Sequence, residues 1–203
     1  MAHDEAEGWR ARVYALVTHV EPAGTVAVAA RATLLAGLVV WSLRLFAHAL
    51  EPGYLFGSFM HLVHLPFHEA GHILFMPFGG FLMSLGGSLT QVLVPLVCLG
   101  TFLVKTRDTF GAAVALWWAG QAVMDVAPYV ADARALQIVL LGGRTGAEVE
   151  GHDWEAILSA LGWLRYDILL GRLANLLGIV LMIVALAWGA TVVARQHAQA
   201  GRS

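Results

Sequence analysis

Residues 57–77 read GSFMHLVHLPFHEAGHILFMP, an apolar segment whose only Asp, Glu, Lys or Arg is Glu69. His68 and His72 lie four residues apart, so on a helix both side chains share one face and can bind one metal ion. Zinc held by neutral imidazoles keeps a position open for water, and a neighbouring carboxylate can accept that water's proton. We therefore predict one zinc ion (Zn²⁺) per chain, held by His68 and His72, with Glu69 as the catalytic base.

The composition places this segment in a membrane. Of the 203 residues, 59% are hydrophobic and 13% are charged, whereas soluble domains have roughly 45–50% apolar and 25% charged residues. We therefore predict an integral membrane protein, multi-pass in a cell membrane and in contact with the lipid bilayer. A carboxylate at mid-membrane costs about 2.5–3.5 kcal/mol on insertion scales, so Glu69 indicates a functional site. The alternative is that Glu69 and the histidines are polar residues packed and hydrogen-bonded between helices.

Charge and cysteine content exclude other classes of protein. The formal net charge is −2, and without a basic stripe we predict no nucleic-acid partner. Cys98 is the only cysteine, which excludes an intrachain disulfide and a Cys-x-x-Cys metal site. The N-terminal residues are acidic, unlike the basic start of a secretory signal peptide, so we expect the first hydrophobic segment to remain as an anchor.

Hydrophobic runs of about 20 residues predict the membrane helices. We predict an all-α integral membrane protein with about five transmembrane helices, at about residues 26–50, 57–77, 89–104, 109–130 and 168–194. A single membrane domain covers residues 1–203. Its parts are an amphipathic N-terminal segment (1–25), four spans with the metal site (26–131), an extramembrane loop with an interfacial amphipathic helix (132–167), and the last span with its tail (168–203).

A glycine-rich segment, Phe78–Ser88 (FGGFLMSLGGS), follows the histidine motif and carries no charge. Irregular backbone at membrane depth is tolerated where it is buried in protein or lines a cavity. We therefore interpret it as a re-entrant turn or short strand beside the metal. A glycine-softened connection between two spans is the alternative.

Further polar side chains lie in the apolar spans. At 100° per residue, His61 and His64 share a single arc of about 80° with the two histidines of the motif. They are candidates to extend the metal site, relay protons or contact substrate, or they simply hydrogen-bond to neighbouring helices. Gln91 is a candidate to contact substrate by donating to a developing oxyanion, or it bonds to a neighbouring helix.

The residue pattern alone does not identify the third metal ligand. Asp125 is a carboxylate in an apolar span and needs a partner, either the metal, its ligands or Arg134. The rival third ligands are Asp132 and His152. Asp153 precedes an amphipathic segment, residues 155–166, and we interpret it as the N-cap of that helix.

The stretch from Phe56 to Asp132 resembles the core of the site-2 protease family of intramembrane zinc metalloproteases. The shared features are a helix with His-Glu-x-x-His, a glycine-rich connection and a later helix with an Asp. The resemblance implies that His68, His72 and Asp125 bind zinc and that Glu69 is the general base. The later motif departs from the family pattern, because Asp125 is followed by Val rather than Gly.

The function that we predict is a zinc-dependent intramembrane endopeptidase cleaving a transmembrane or membrane-proximal segment of a membrane protein substrate. Two alternatives remain open. The four-histidine face suggests a membrane metal transporter or sensor, which needs ligands spread along the span. A catalytically inactive relative, acting as a membrane interaction protein, would keep the motif for stability. Lysines and arginines divide almost evenly between the two sides, so they predict no orientation.

Overall fold

The protein is built from α-helices. The computed structural model describes residues 2–201, without the side chains of residues 2–7, 9 and 10, so the acidic N-terminal side chains considered above lie outside it. The helices are α1 (Ala2–Thr18), α2 (Thr25–Ala47), α3 (Pro52–Phe56), α4 (Phe59–Phe75), α5 (Gly80–Thr101), α6 (Thr109–Ala131), α7 (Asp153–Ala160) and α8 (Asp167–Ala200). Within the described range there is no strand, and an isolated antiparallel bridge joins Val139 to Thr145. The all-α prediction is confirmed.

Four helices of the described chain are long and apolar enough to cross a membrane. They are α2, α5 with its π-helical extension Phe102–Thr106, α6, and α8 with the 3-10 turn Leu164–Tyr166 before it. Helix α6 is central, because 72% of its apolar window is buried, against 17%, 22% and 28% for the other three. The exposed apolar faces of the outer helices therefore suit contact with lipid.

Helix α4 carries the histidine motif and is shorter than the predicted span. It begins after Ser58, whose side chain accepts a hydrogen bond from the His61 amide, and it continues through Pro66 without ending there. Its 17 residues extend about 26 Å at 1.5 Å per residue, against a hydrocarbon core of about 30 Å. Helices are therefore present at all five predicted positions, and four of the five are long enough to span a membrane.

The glycine-rich segment is mostly helical. Phe78 ends a 3-10 turn and α5 begins at Gly80, so a helix stands where we expected a turn or short strand. The glycines allow two helices to touch: a Cβ on Gly86 would lie 2.7 Å from the Gly71 carbonyl oxygen. Small residues at such contacts are typical of membrane helices. These glycines therefore bring α5 against the histidine motif.

Helices α6 and α8 also meet at glycines. A Cβ on Gly178 would lie 2.6 Å from the Gly120 carbonyl oxygen, and one on Gly171 would lie 2.7 Å from that of Ala127. The two backbones therefore pack directly against each other. This contact fixes the helix that carries Asp125 against the last span.

Residues 132–167, which we predicted to be extramembrane, fold back over the bundle. The Asp132 carboxylate accepts hydrogen bonds from the Gln137 and Ile138 amides, at 3.0 and 2.9 Å. Helix α7 ends at Ala160, earlier than the predicted helix at 155–166, and Gly162 beyond it has a φ of +68°. Trp154 Nε1 donates to Ser88 Oγ at 3.1 Å, which attaches α7 to α5.

Candidate metal centre

The two histidines of the motif converge on one carboxylate oxygen. His68 Nε2 lies 3.2 Å from Asp153 Oδ2, and His72 Nε2 lies 3.3 Å from the same atom. A tetrahedral zinc site with bonds of about 2.0–2.1 Å has ligand-to-ligand edges of about 3.3–3.4 Å. The two nitrogen-to-oxygen distances therefore match two edges of such a site.

The other nitrogen of each ring is held by an oxygen acceptor. His72 Nδ1 donates to the Met83 carbonyl at 2.8 Å, and His68 Nδ1 donates to Gln91 Oε1 at 3.2 Å. A protonated Nδ1 leaves the Nε2 lone pair free in the neutral ring. Histidine ligands of metals are oriented in this way by a second hydrogen bond. Both lone pairs therefore face the Asp153 oxygen.

Gly87 leaves open the space between the two rings. A Cβ at this position would lie 2.6 Å from His68 Nε2 and 2.7 Å from His72 Nε2. Any side chain on this residue of α5 would therefore occupy the point at which the two nitrogens meet. The donor set and this space fit a zinc ion held by the two histidines and Asp153.

Glu69 stands beside these ligands. One carboxylate oxygen of Glu69 and one nitrogen each of His68 and His72 lie within 4.8 Å of one another. All three residues line a cavity of about 490 Å³, whose rim includes residues 138–142 of the extramembrane segment. A base next to the metal position and open to a cavity can accept a proton from water and transfer it to a leaving group.

Asp153 reaches the site as the first residue of α7. The N-cap is His152, whose Nδ1 accepts from the Glu155 amide at 3.2 Å, so the N-cap interpretation of Asp153 is wrong. Tyr129 positions Asp153, because its hydroxyl accepts from the Asp153 amide at 3.0 Å and donates to Oδ2 at 3.3 Å.

The structure brings Asp125 to a different pair of histidines. Asp125 Oδ2 accepts from His61 Nδ1 at 3.0 Å and from His64 Nδ1 at 3.3 Å, and Gln91 Nε2 donates to the same oxygen at 3.0 Å. Arg134, the other partner considered for Asp125, donates from Nε to Asp167 at 2.8 Å. Among the described residues, Gln91 therefore links Asp125 to the histidine motif by hydrogen bonds.

The two rival ligands contact each other instead of the motif. His152 Nε2 lies 3.4 Å from Asp132 Oδ2, and the oxygens of Asp132 accept from two loop amides. Burial lowers the pKa of His152, which keeps its ring neutral as the N-cap of α7. Both residues shape the loop that carries Asp153.

The auxiliary residues that we predicted form a hydrogen-bonded group. His61 lines the cavity, whereas His64 is buried and its Nε2 accepts from Trp118 Nε1 at 3.0 Å. Gln91 is buried between His68 and Asp125, so both ends of its amide already have partners. This contact favours an orienting role for Gln91, and it agrees with the second of its two candidate roles, a bond to a neighbouring helix, rather than with the oxyanion contact.

Sequence reasoning missed three residues of this centre: Asp153, Tyr129 and Gly87. The signal for Asp153 was a carboxylate next to His152 at the start of an amphipathic helix, which has the same pattern as an ordinary cap. Tyr129 lies on the face of α6 one turn beyond Asp125, and only the docked position of α7 gives it a partner. Comparisons with protein-family models, curated proteins and solved structures found no match to this chain.

Proposed function

We propose that this protein is a zinc-dependent membrane endopeptidase. The observation that carries the proposal is the meeting of His68 Nε2, His72 Nε2 and Asp153 Oδ2 at 3.2–3.3 Å, with the Glu69 carboxylate beside them. Bound zinc supplies a Lewis acid that polarises a carbonyl and lowers the pKa of water to about 7. The protein's own residues supply the ligands, the base and the cavity.

Glu69 performs the proton transfers in this proposal. Its carboxylate accepts a proton from the attacking water as the water oxygen bonds to the scissile carbonyl carbon. The same proton then passes to the amine nitrogen as the carbon–nitrogen bond breaks, so the products are an acid and an amine. The position of Glu69, which lines the cavity next to the histidine pair, supports this role.

A membrane-proximal segment of another membrane protein is the substrate class that the site favours. The extramembrane segment supplies both Asp153 and the cavity rim at residues 138–142 and 149–151. We propose that α4 lies within the bilayer as a fifth apolar helix, too short to cross it alone. The motif near its end would then lie close to the boundary with water, in a multi-pass protein.

The first experiment separates binding from chemistry. Purified protein in detergent is incubated with a mixture-based library of fluorogenic peptides, and zinc per chain is measured by mass spectrometry. We expect Glu69→Gln to retain one zinc and to lose cleavage, because only the base is removed. Full cleavage by Glu69→Gln, or a wild-type protein that binds no zinc, would overturn the proposal.

The second experiment tests the third ligand. We expect Asp153→Ala to lose zinc and Asp125→Ala to retain it with weaker affinity, because only Asp153 contacts both Nε2 atoms. Glu155→Ala is the matched control, an acid in the same turn of α7. Loss of zinc in Asp125→Ala with retention in Asp153→Ala would restore Asp125 as the ligand, as the family resemblance implies.

A metal conduit gains less support from these contacts. A conduit needs exchangeable ligands along the span, but His64 is fixed by Trp118 and Asp125, and His61 by Asp125. Several weakly bound zinc ions, lost together in His61→Ala and His64→Ala, would favour the conduit over the enzyme.

A further inference from the structure

We infer that Asp125 and Gln91 form a relay that positions His68 for metal binding. The inference rests on the proposed function, since it concerns one of the proposed zinc ligands. It assigns Asp125 a place behind the metal site, as a positioning residue that acts through the amide of Gln91. The argument depends on which atom of each side chain donates and which accepts.

The orientation of the Gln91 amide follows from its surroundings. Gln91 Nε2 lies 3.0 Å from Asp125 Oδ2 and 3.4 Å from the Ala122 carbonyl, both of which can only accept. The nitrogen must therefore face α6, and Oε1 faces His68 Nδ1 at 3.2 Å. Since Oε1 can only accept, His68 Nδ1 carries the proton. This leaves His68 Nε2 free to bind a metal.

Asp125 is itself held firmly. Three N–H groups converge on its Oδ2, from His61, His64 and Gln91. The tautomer of His64 is fixed, because Trp118 can only donate and does so to His64 Nε2 at 3.0 Å. Asp125 is 2% exposed and Gln91 is 3% exposed, so water competes little for these bonds. A continuous set of hydrogen bonds therefore runs from Trp118 to His68.

The two histidines of the motif are supported differently. His72 Nδ1 donates to a backbone carbonyl of Met83, which no substitution removes. His68 depends on a side-chain amide that depends in turn on a buried carboxylate. Removing such an outer partner typically lowers metal affinity by about 10- to 100-fold. Asp125 should therefore tune zinc affinity without contacting the metal.

A double-mutant cycle in zinc affinity tests the relay. Zinc dissociation constants are measured on the detergent-solubilised full chain by competition with a chelator, for wild type, Asp125→Asn, Gln91→Met and the double variant. We expect each single substitution to weaken binding by about 10- to 100-fold. Because Asp125 acts through Gln91, Asp125→Asn should have no further effect in the Gln91→Met background.

Matched variants separate the relay from a general loss of packing. Gln121→Met makes the same substitution at a buried glutamine of α6 whose side chain has no hydrogen-bond partner among the described residues, and it should keep wild-type affinity. Gln91→Glu keeps an acceptor for His68 and, with one shared proton, the link to Asp125, so it should bind zinc better than Gln91→Met. Equal losses in Gln91→Glu and Gln91→Met would contradict the relay.

A measurement on the wild-type protein keeps the inference testable if variants fail to fold. Nitrogen-15 spectra of the zinc-loaded protein should show His68 with a protonated Nδ1 and a metal-bound Nε2. The opposite arrangement, or an Asp125→Asn effect that is undiminished in the Gln91→Met background, overturns the relay while leaving the proposed function intact. A wild-type protein without zinc overturns both.

Discussion

Gly87 is important at the candidate centre because it has no side chain. We predict that Gly87→Ala abolishes zinc binding, because its Cβ would lie 2.6–2.7 Å from both Nε2 atoms, where the ion has to fit. The helix itself should remain, since alanine is favoured over glycine in helices by about 1 kcal/mol. Zinc per chain by mass spectrometry and helicity by circular dichroism check the two statements.

Gly100→Ala is the control for this substitution. Gly100 lies on the same helix, and a Cβ there would meet nothing within 4 Å. This variant should bind one zinc per chain, as we propose for the wild type. A Gly87→Ala protein with a full complement of zinc would place the metal elsewhere.

The residues that the sequence predicts at this site are those related by local geometry. His68, Glu69 and His72 follow from the helical spacing alone, because i and i+4 share a face in any helix. Asp153 does not, since it lies 85 residues from His68 and reaches it only when α7 docks. A carboxylate before a helix has the same sequence pattern whether it caps that helix or faces a metal.

At the scale of elements, the docking of α7 decides whether Asp153, the proposed third ligand, is in place. We predict that Trp154→Phe weakens zinc binding by roughly fivefold, because a hydrogen bond is worth about 1 kcal/mol and the lost bond to Ser88 is one of the contacts that holds α7. Ser88→Ala should have the same effect, and the double variant should be no worse. Chelator competition measures all three.

A different serine of α7 serves as the control. Ser159 Oγ donates to Glu155 on the exposed side of the helix, so Ser159→Ala should leave zinc affinity unchanged. If Trp154→Phe binds zinc as tightly as wild type, then the contact with α5 does not hold Asp153 in position.

We predict that a turn in the loop over the cavity depends on pH. Glu148 Oε2 accepts from the Thr145 amide at 2.9 Å and from its hydroxyl at 3.1 Å, and these bonds hold the pKa of Glu148 below its usual value. A lowered carboxylate pKa stabilises the turn above the unfolded value of about 4.3, and the stabilisation is lost as the pH falls through the folded pKa. The Thr145 amide resonance should therefore titrate below about pH 4.3, and Glu148→Gln should remove the titration. A midpoint at or above that value would contradict the bond.

For helices, as for residues, the sequence predicts what local geometry determines and misses what depends on distant contacts. Hydrophobic runs give the positions of the long helices, because burial in lipid is a property of each segment alone. The end of α7 at Ala160 depends on the turn at Gly162, and the helical state of the glycine-rich segment depends on Gly71 meeting Gly86. Gly162 lies within the predicted helix and is a local stop signal that the prediction missed, whereas the contact between Gly71 and Gly86 joins two different segments.

For the whole molecule, the contact between α6 and α8 holds the bundle together. We predict that Gly178→Ala lowers the free energy of unfolding by about 1–3 kcal/mol, the typical cost of overpacking, because its Cβ would lie 2.6 Å from the Gly120 carbonyl oxygen. Equilibrium unfolding in mixed detergent measures the change. Gly37→Ala on α2, where a Cβ meets nothing within 4 Å, should be neutral or stabilising.

The separation of Asp153 from His68 along the chain has a consequence for how the protein is made. Ribosomes add about 5–20 residues per second, so the 85 residues from Glu69 to Asp153 take about 4–17 s to synthesise, since Asp153 follows His68 by 85 positions. During that interval the nascent chain holds the histidine pair and its base without their third partner. Under the proposed function, the newly synthesised chain therefore lacks a complete site, and cleavage becomes possible after translation has passed α7.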